Sequence, residues 1–428
     1  MKKNKILVLA LTFALLFSAN NIVFADGLTK NSPTETEIKE YWYNYQSNAA
    51  YKKDYLGLGL IDNEYDNLYD ITPDVDNKTT EGKLNNVAID DTIHVINSIR
   101  YATGVDLVTH NPEFSELAQN SAFVNYKNNI ISHYPNTPVD MNDNDSIVLR
   151  GKEAGPVSNL GNMYNSGSRA YQTYKKDEFG NKIEGSEEKV KLTPEHISQL
   201  KSEVYDKNRF IAYTEAYLKD DNSVENQRTT GHRIALITPH TTNIGVGAVE
   251  TNELIDIDGD YQKQFEVKSF QSTTYTEPGK HIELNDNRNK DVIAYPAQIG
   301  ITEFFSDTTP FSIYLGIDYD VKDAVVKVTD VNTGETYTYS KDNGNLIINQ
   351  GGDNDEGTSG YYGAMKGLVF GLGNTIKVTN EKGELLNENE QVRFSELPFS
   401  EGTKLNIEVL NVKDKDGNDY PINYTTEF

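Results

Sequence analysis

The chain of 428 residues has no cysteine. Disulfides and thiolate metal sites are therefore excluded, and the fold must rest on its packed core alone. Positive charge is scarce: 40 basic side chains stand against 65 acidic ones, a net of −25 with no concentrated basic patch. Such a chain repels phosphate backbones, which rules out nucleic acid as a partner. The acidity reads as plain solubility, with cation binding at an anionic cell wall as the alternative. No apolar run beyond the first residues approaches the roughly 20 needed to span a bilayer, so no transmembrane segment is expected in the mature chain. No G-x-S-x-G elbow occurs, which leaves Ser-His-Asp chemistry without its usual scaffold. No internal repeat is evident.

The start of the chain carries a signal of its own. Lys2, Lys3 and Lys5 precede an apolar run from Ile6 to Phe17, and Val23-Phe24-Ala25 ends in a small residue. Residues 1–25 read as a signal peptide cleaved near Ala25, which predicts a secreted, extracellular protein, free or loosely associated with a cell wall. Residues 26–85 form a polar lead-in rich in Tyr, Asp and Asn. Within it, Ile38, Tyr41, Trp42 and Tyr45 share one face of a helix expected over Thr34 to Tyr45.

From residue 86 the pattern becomes that of a folded unit, expected to run to 255. Ile89, Ile93, Ile96 and Arg100 predict a helix over 90–102. Asn111 as cap and Pro112 in the first turn open a second helix, buried through Phe114, Leu117, Ala118 and Ala122. It should end before Pro135, leaving His133 where helix gives way to loop. Residues 136–192 read as loop-rich, with a charged insertion from Lys175 to Lys191. Thr193-Pro194 starts a third helix, and a fourth covers about 208–219. Gly231-His232-Arg233 is placed at the mouth of an apolar strand over 233–238, followed by a second strand over 243–250.

Residues 265–428 change to period-two alternation. Val326-Lys327-Val328 and Thr336-Tyr337-Thr338-Tyr339 flank a turn and predict a hairpin. Ile376-Lys377-Val378, Leu405 to Val409 and Ile422-Asn423-Tyr424 continue the pattern, giving a β-sandwich of about seven strands. Residues 351–360 read as a loop. Asp256-x-Asp258-x-Asp260 and Asp414-x-Asp416-x-Asn418 open like EF-hand loops. Tyr261 and Asp419 occupy the glycine position, however, and Val267 and Thr425 the final glutamate position, so both read as turns. On residue type alone the two prominent histidines admit structural roles: His133 capping a helix end, His232 bonding a backbone carbonyl and Arg233 pairing with an acid. His94, His110, His196, His240 and His281 read as surface or turn residues.

Taken in order, several segments resemble the CAP superfamily of secreted proteins, in particular bacterial members with a β-rich C-terminal unit. Asn97-Ser98-Ile99-Arg100 is similar to an N-x-x-R signature, Leu117 to Ala122 to an L-A-x-x-A pattern, and Ser132-His133 to an S-H motif. Gly231-His232-Arg233 with Ile244-Gly245-Val246-Gly247 completes the set. The resemblance implies an α+β fold: an α-β-α sandwich with a small antiparallel sheet, followed by an all-β, Ig-like sandwich. It also implies a cleft where two histidines and two glutamates can bind zinc or another divalent metal, with His133 and His232 as the matching histidines. Ser158 stands at the first glutamate position, with Glu153 five residues upstream as the nearest carboxylate. Glu215, in Tyr213-Thr214-Glu215, matches the second; a register based on Tyr217-Leu218 makes it a surface residue instead. The function expected is non-catalytic binding of an extracellular apolar, cell-wall or host ligand, or of a cell-surface polymer. The alternatives are a metal-dependent hydrolase and a structural surface or coat component.

Overall fold

The computed structural model describes Glu37 and residues 68–204, 209–279, 292–349, 365–375 and 393–428. The expected signal peptide, the helix expected around Trp42 apart from Glu37, His281, the expected 351–360 loop and the expected Ile376 strand lie outside the described residues. The fold is mixed α+β. Among the described residues no helix is long and apolar enough to cross a membrane.

The first unit is a five-stranded sheet with helices on both faces. In chain order it contains β1 (Tyr69–Ile71), β2 (Lys83–Leu84), α1 (Asn86–Ala102), β3 (Thr109–His110), α2 (Pro112–Asn128) and α3 (Ser146–Ala154). Next come β4 (Ser158–Thr173), β5 (Glu188–Val190), α4 (Pro194–Val204), α5 (Arg209–Lys219), α6 (Val224–Thr229), α7 (Gly231–Ile237), β6 (Asn243–Asp256) and β7 (Gln262–Thr274). The sheet order is β3-β6-β7-β4-β5, with β3 parallel to β6 and the other pairs antiparallel. Because β7 pairs with β4 and β6 along its length, this sheet runs through Thr274, and the boundary expected at 265 falls inside it.

The cap expected at Asn111 is formed. Asn111 accepts from Glu113 N and Phe114 N ahead of Pro112, and Asn129, in the left-handed region at φ 54°, closes the same helix. Strand β6 is seated on α2 through its glycines. A Cβ on Gly247 would lie 2.1 Å from Gln119 N, and one on Gly245 would lie 2.0 Å from Ser115 N, so only glycine permits this approach. Side chains of α2 then complete the edge of β6. Val246 N donates to Ser115 Oγ, Ala248 N to Gln119 Oε1, and Gln119 Nε2 donates to Ala248 O. Further along, Glu250 N donates to Tyr69 Oη, so the end of the lead-in docks on this edge. The opposite face takes α1 and α5: Ala88 and Ile89 pack with Val246 and Ala248, and Tyr213 and Tyr217 lie over Gly161.

Two expectations are corrected here. Residues 233–238 are not a strand: Gly231–Ile237 is helix α7, with Ile234 to Ile237 all buried. A short run that is apolar on every side carries no period to separate helix from strand, and here tertiary contacts decide. Arg100, wholly buried on α1, donates to the carbonyls of Asp106, Leu236, Thr238 and Thr241, which fixes how α7 ends. The supposed loop over 136–192 contains α3 and the 16-residue strand β4. Its Ser, Asn, Gly and Tyr residues mask the alternation, because most of one face is solvated while Leu200 and Val204 of α4 pack with Phe265 and Val267 on the other.

The second unit holds β8 (Val292–Tyr295), β9 (Phe311–Gly316), β10 (Val325–Asp330), β11 (Thr336–Ser340), β12 (Ile347–Asn349), β13 (Met365–Phe370), β14 (Leu372–Thr375), β15 (Arg393–Ser395), β16 (Lys404–Leu410) and β17 (Ile422–Glu427). They form two four-stranded antiparallel sheets, β11-β10-β16-β17 and β12-β13-β9-β8, and a β14-β15 pair. Val326, Val328, Ile407 and Val409 from one sheet join Phe311, Ile313, Leu368 and Phe370 from the other in one core. That core continues into Tyr213, Tyr217, Ile234 and Leu236 of the first unit. The Asp414 segment is a turn, its carboxylate accepting from Asp416 N and Asn418 N.

Candidate functional site

His232 is the second residue of α7 and is held from three sides. Its Nδ1–H donates to Asp220 Oδ1 at 2.6 Å, the Tyr217 ring stacks on it at 5.4 Å and 27°, and Asn159 Nδ2 donates to its carbonyl at 2.9 Å. Asp220 follows the last residue of α5 in the left-handed region at φ 49°. From there its second oxygen accepts from Arg233 N at 2.8 Å, so one buried carboxylate both caps α7 and orients the imidazole. The His232 side chain is 21% exposed while that of Asp220 is 0% exposed, which makes the histidine the accessible member of the dyad.

His133 lies in the bend beyond α2, and its Nδ1–H donates to Gly155 O at 2.8 Å. Burial pulls its pKa below the ordinary value; the Gly155 carbonyl opposes this and the charge of His232 adds to it. For His232, burial also works against the charged form, but the charge and hydrogen bond of Asp220 outweigh it and the pKa rises. With both Nδ1 atoms engaged, the remaining ring atoms differ in character. A neutral His133 offers its Nε2 lone pair, whereas a protonated His232 offers an Nε2–H.

His133 is affected by the charge of His232, whereas Ser158 and Glu153 are directed elsewhere. Ser158 is fully buried, and its Oγ donates to Ala154 O at 2.8 Å. Its single proton is thereby used, so Thr274 Oγ1, 2.7 Å away, is the donor to Ser158. Strand alternation explains the outcome: Ser158 and its partner Thr274 face α2, while Asn159, one residue on, faces α5 and reaches His232. Glu153 is exposed on α3. Glu215 is buried, which corrects the register that made it a surface residue, and its charge acts on the buried phenol of Tyr295.

These residues do not fit a zinc site. Ser158 is committed to two oxygens on the far face, and among the described residues no group of three or more His, Asp or Glu is placed to hold a metal ion. Nor does Arg233 pair with an acid, as residue type had suggested. Its buried guanidinium donates to Leu218 O, Lys219 O, Pro310 O and Ser312 Oγ and lies 4.1 Å from the Tyr295 ring centroid. Around it, Asp221 accepts from Ser306, Thr308 and Thr309, Gln227 bonds Thr308 O and both backbone groups of Arg393, and Tyr314 Oη donates to Thr230. The segment that carries His232 is thus bonded to the second unit.

Of the other histidines, His240 lies in the turn after α7, one of the two placements expected for it, and is buried there, and His110 Nε2 meets Ser115 Oγ at 2.8 Å. Asp220 and Tyr217 are the site residues that sequence reasoning overlooked. Asp220 sits in Lys219-Asp220-Asp221-Asn222-Ser223, which reads as a solvated loop; the usable signal was a carboxylate just past a helix end and 12 residues before a histidine. Comparison with protein-family models, curated proteins and solved structures finds no match.

Proposed function

We propose that the chain is an exported protein of the CAP superfamily, with an α-β-α sandwich and an Ig-like β-sandwich, that binds an extracellular ligand without turning it over. The observation that carries the reading is the fate of Ser158. At the position where the resemblance calls for a carboxylate there is a buried hydroxyl, bonded to Ala154 and Thr274 and facing away from the histidines. What remains accessible are the imidazoles of His133 and His232, their Nδ1 atoms held by Gly155 and Asp220, with the exposed ring of Tyr134 next to His133 in the chain. Such a pair suits hydroxyl- and amide-bearing polymers of a cell surface, where each ring takes a complementary group. The test is sedimentation of the purified mature protein with insoluble cell-wall fragments. Binding should fall at least tenfold in His133→Ala and His232→Ala, with no soluble fragments released and no stoichiometric zinc after dialysis. Fragment release abolished by either substitution would overturn the reading.

One observation favours a second function. The Asp220–His232 dyad and His133, with pKa values pushed in opposite directions, form an acid–base pair of the kind that serves metal-free hydrolysis. That reading requires cleavage in the presence of chelator and its loss in Asp220→Asn.

A further inference from the structure

Behind His232 the sheet carries a cluster of polar atoms with no partner among the described residues. Strands β4 and β7 pair Asn159 with Thr273 and Gly161 with Gln271. Directly paired residues point to the same face, so these four positions make one patch beneath α5. Tyr217 closes it from above: a Cβ on Gly161 would lie 2.8 Å from the Tyr217 hydroxyl oxygen. Asn159, Thr273, Gln271 and Tyr217 are 0%, 0%, 1% and 4% exposed. Yet Asn159 Oδ1, Thr273 Oγ1, Tyr217 Oη and both amide atoms of Gln271 make no hydrogen bond among the described residues.

Native proteins rarely leave such groups unmet, since each would give up its hydrogen bonds to water for nothing. Here five such atoms fall within one patch of the sheet and the helix above it, which calls for a guest as their partner. Its chemistry follows from theirs. Two carbonyl oxygens accept, one amide nitrogen donates and two hydroxyls do either; no member is charged. A cation would meet the Gln271 amide hydrogens with no carboxylate in the cluster to balance it, and an anion would meet two carbonyl oxygens. A small neutral molecule that both gives and accepts is required, and in a cluster sealed from bulk solvent that molecule is water.

We infer that Asn159, Gln271, Thr273 and Tyr217 form a built hydration site, occupied by ordered water that bridges the two strands to α5. Its place gives it a task. Two of the four residues also hold His232, Tyr217 by stacking on the ring and Asn159 by bonding the carbonyl. The bound water ties Tyr217 to the sheet and braces the Asn159 side chain upon it, so it positions His232 whatever chemistry that residue performs. The inference does not depend on the binding reading, because it concerns what sets the imidazole in place.

Magnetic relaxation dispersion of solvent oxygen counts long-lived internal waters and tests the site on the whole mature protein. Thr273→Val keeps the side-chain shape and removes one hydroxyl; Tyr217→Phe does the same from the other side. Each should lower the number of long-lived waters by at least one and lower the Tm. In Thr273→Val, whose lost hydroxyl has no hydrogen bond to His232, the His232 Cε1–H resonance should also shift. A dry cluster predicts the reverse sign, because deleting an unmet hydroxyl raises the Tm. Unchanged dispersion with a raised Tm in either variant would overturn the hydration site, and an unmoved His232 resonance would overturn its positioning role. If Thr273→Val does not fold, Tyr217→Phe carries the dispersion and Tm readouts, and Gln271→Met supplies the resonance shift.

Discussion

Replacing Arg233 with methionine keeps most of the side-chain length and removes the guanidinium that joins the His232 segment to the second unit. Four acceptors lose their donor: Leu218 O, Lys219 O, Pro310 O and Ser312 Oγ. An unmet buried acceptor costs about 1–3 kcal/mol, so four would cost roughly 4–12 kcal/mol if nothing relaxed. Against this, the variant no longer has to bury a charge, which returns several kcal/mol. The lost contact with the Tyr295 ring removes about 1–2 kcal/mol more. The balance is a loss of about 3–5 kcal/mol, the range found when one member of a buried polar pairing is deleted. That is a large share of the roughly 5–15 kcal/mol that holds a domain folded. Urea unfolding followed by far-UV ellipticity should show a midpoint lower by about 1 M or more, taking a slope near 3 kcal/mol per M. Arg233→Lys retains the charge but not the planar fork, so it should fall between wild type and Arg233→Met. A loss below about 1 kcal/mol in Arg233→Met would show that the carbonyls find other donors and that Arg233 is not what joins the units.

Further outcomes follow from the same contacts. Histidine NMR titration should place His232 above and His133 below the ordinary value of 6.5, and Asp220→Asn should lower the His232 midpoint. By linkage, the stabilisation from His232 is full below its unfolded value and is lost as pH rises through the folded one. For His133 the sign reverses, and stability falls as pH drops below its ordinary value. Urea midpoints against pH should therefore lose their alkaline limb in Asp220→Asn and their acid limb in His133→Phe. Ser158→Glu restores a carboxylate at the position the resemblance assigns to one, but on the face towards α2 in a filled site; it should lower the Tm and confer no zinc after dialysis, and stoichiometric zinc would refute the placement. Gly247→Ala forces a Cβ to 2.1 Å from Gln119 N and should cost at least about 3 kcal/mol or abolish expression, whereas a loss under about 1 kcal/mol would show that α2 can move away from β6.

Much of the first unit was readable along the chain because its signals are local. Asn111 and Pro112 mark the start of α2 by their own chemistry, and the stripe Ile89, Ile93, Ile96 marks α1 by spacing alone. The hairpin of β10 and β11 was likewise legible, since Val326↔Tyr339 and Val328↔Tyr337 pair across a turn that announces itself. Segments whose state depends on distant partners were misread. The run Ile234 to Ile237 has no polar side to set a period, and Arg100, more than 130 residues away, determines how it ends. Strand β4 exposes much of one face and presents Ser, Gly and Asn, so its alternation is not a hydrophobic one.

At the site, composition alone determined which groups were available: two histidines, no thiolate and a serine where a carboxylate was sought. Only the tertiary structure decided what they do. A carboxylate just beyond α5 reaches the ring of His232 because the chain turns through a left-handed residue, which no spacing rule encodes. The pleat of β4 sends Ser158 to one face and Asn159 to the other, so a single register step determines which of two neighbours supports His232. Local chemistry sets caps, stripes and turns; facing, burial and pKa depend on atoms brought together from far along the chain.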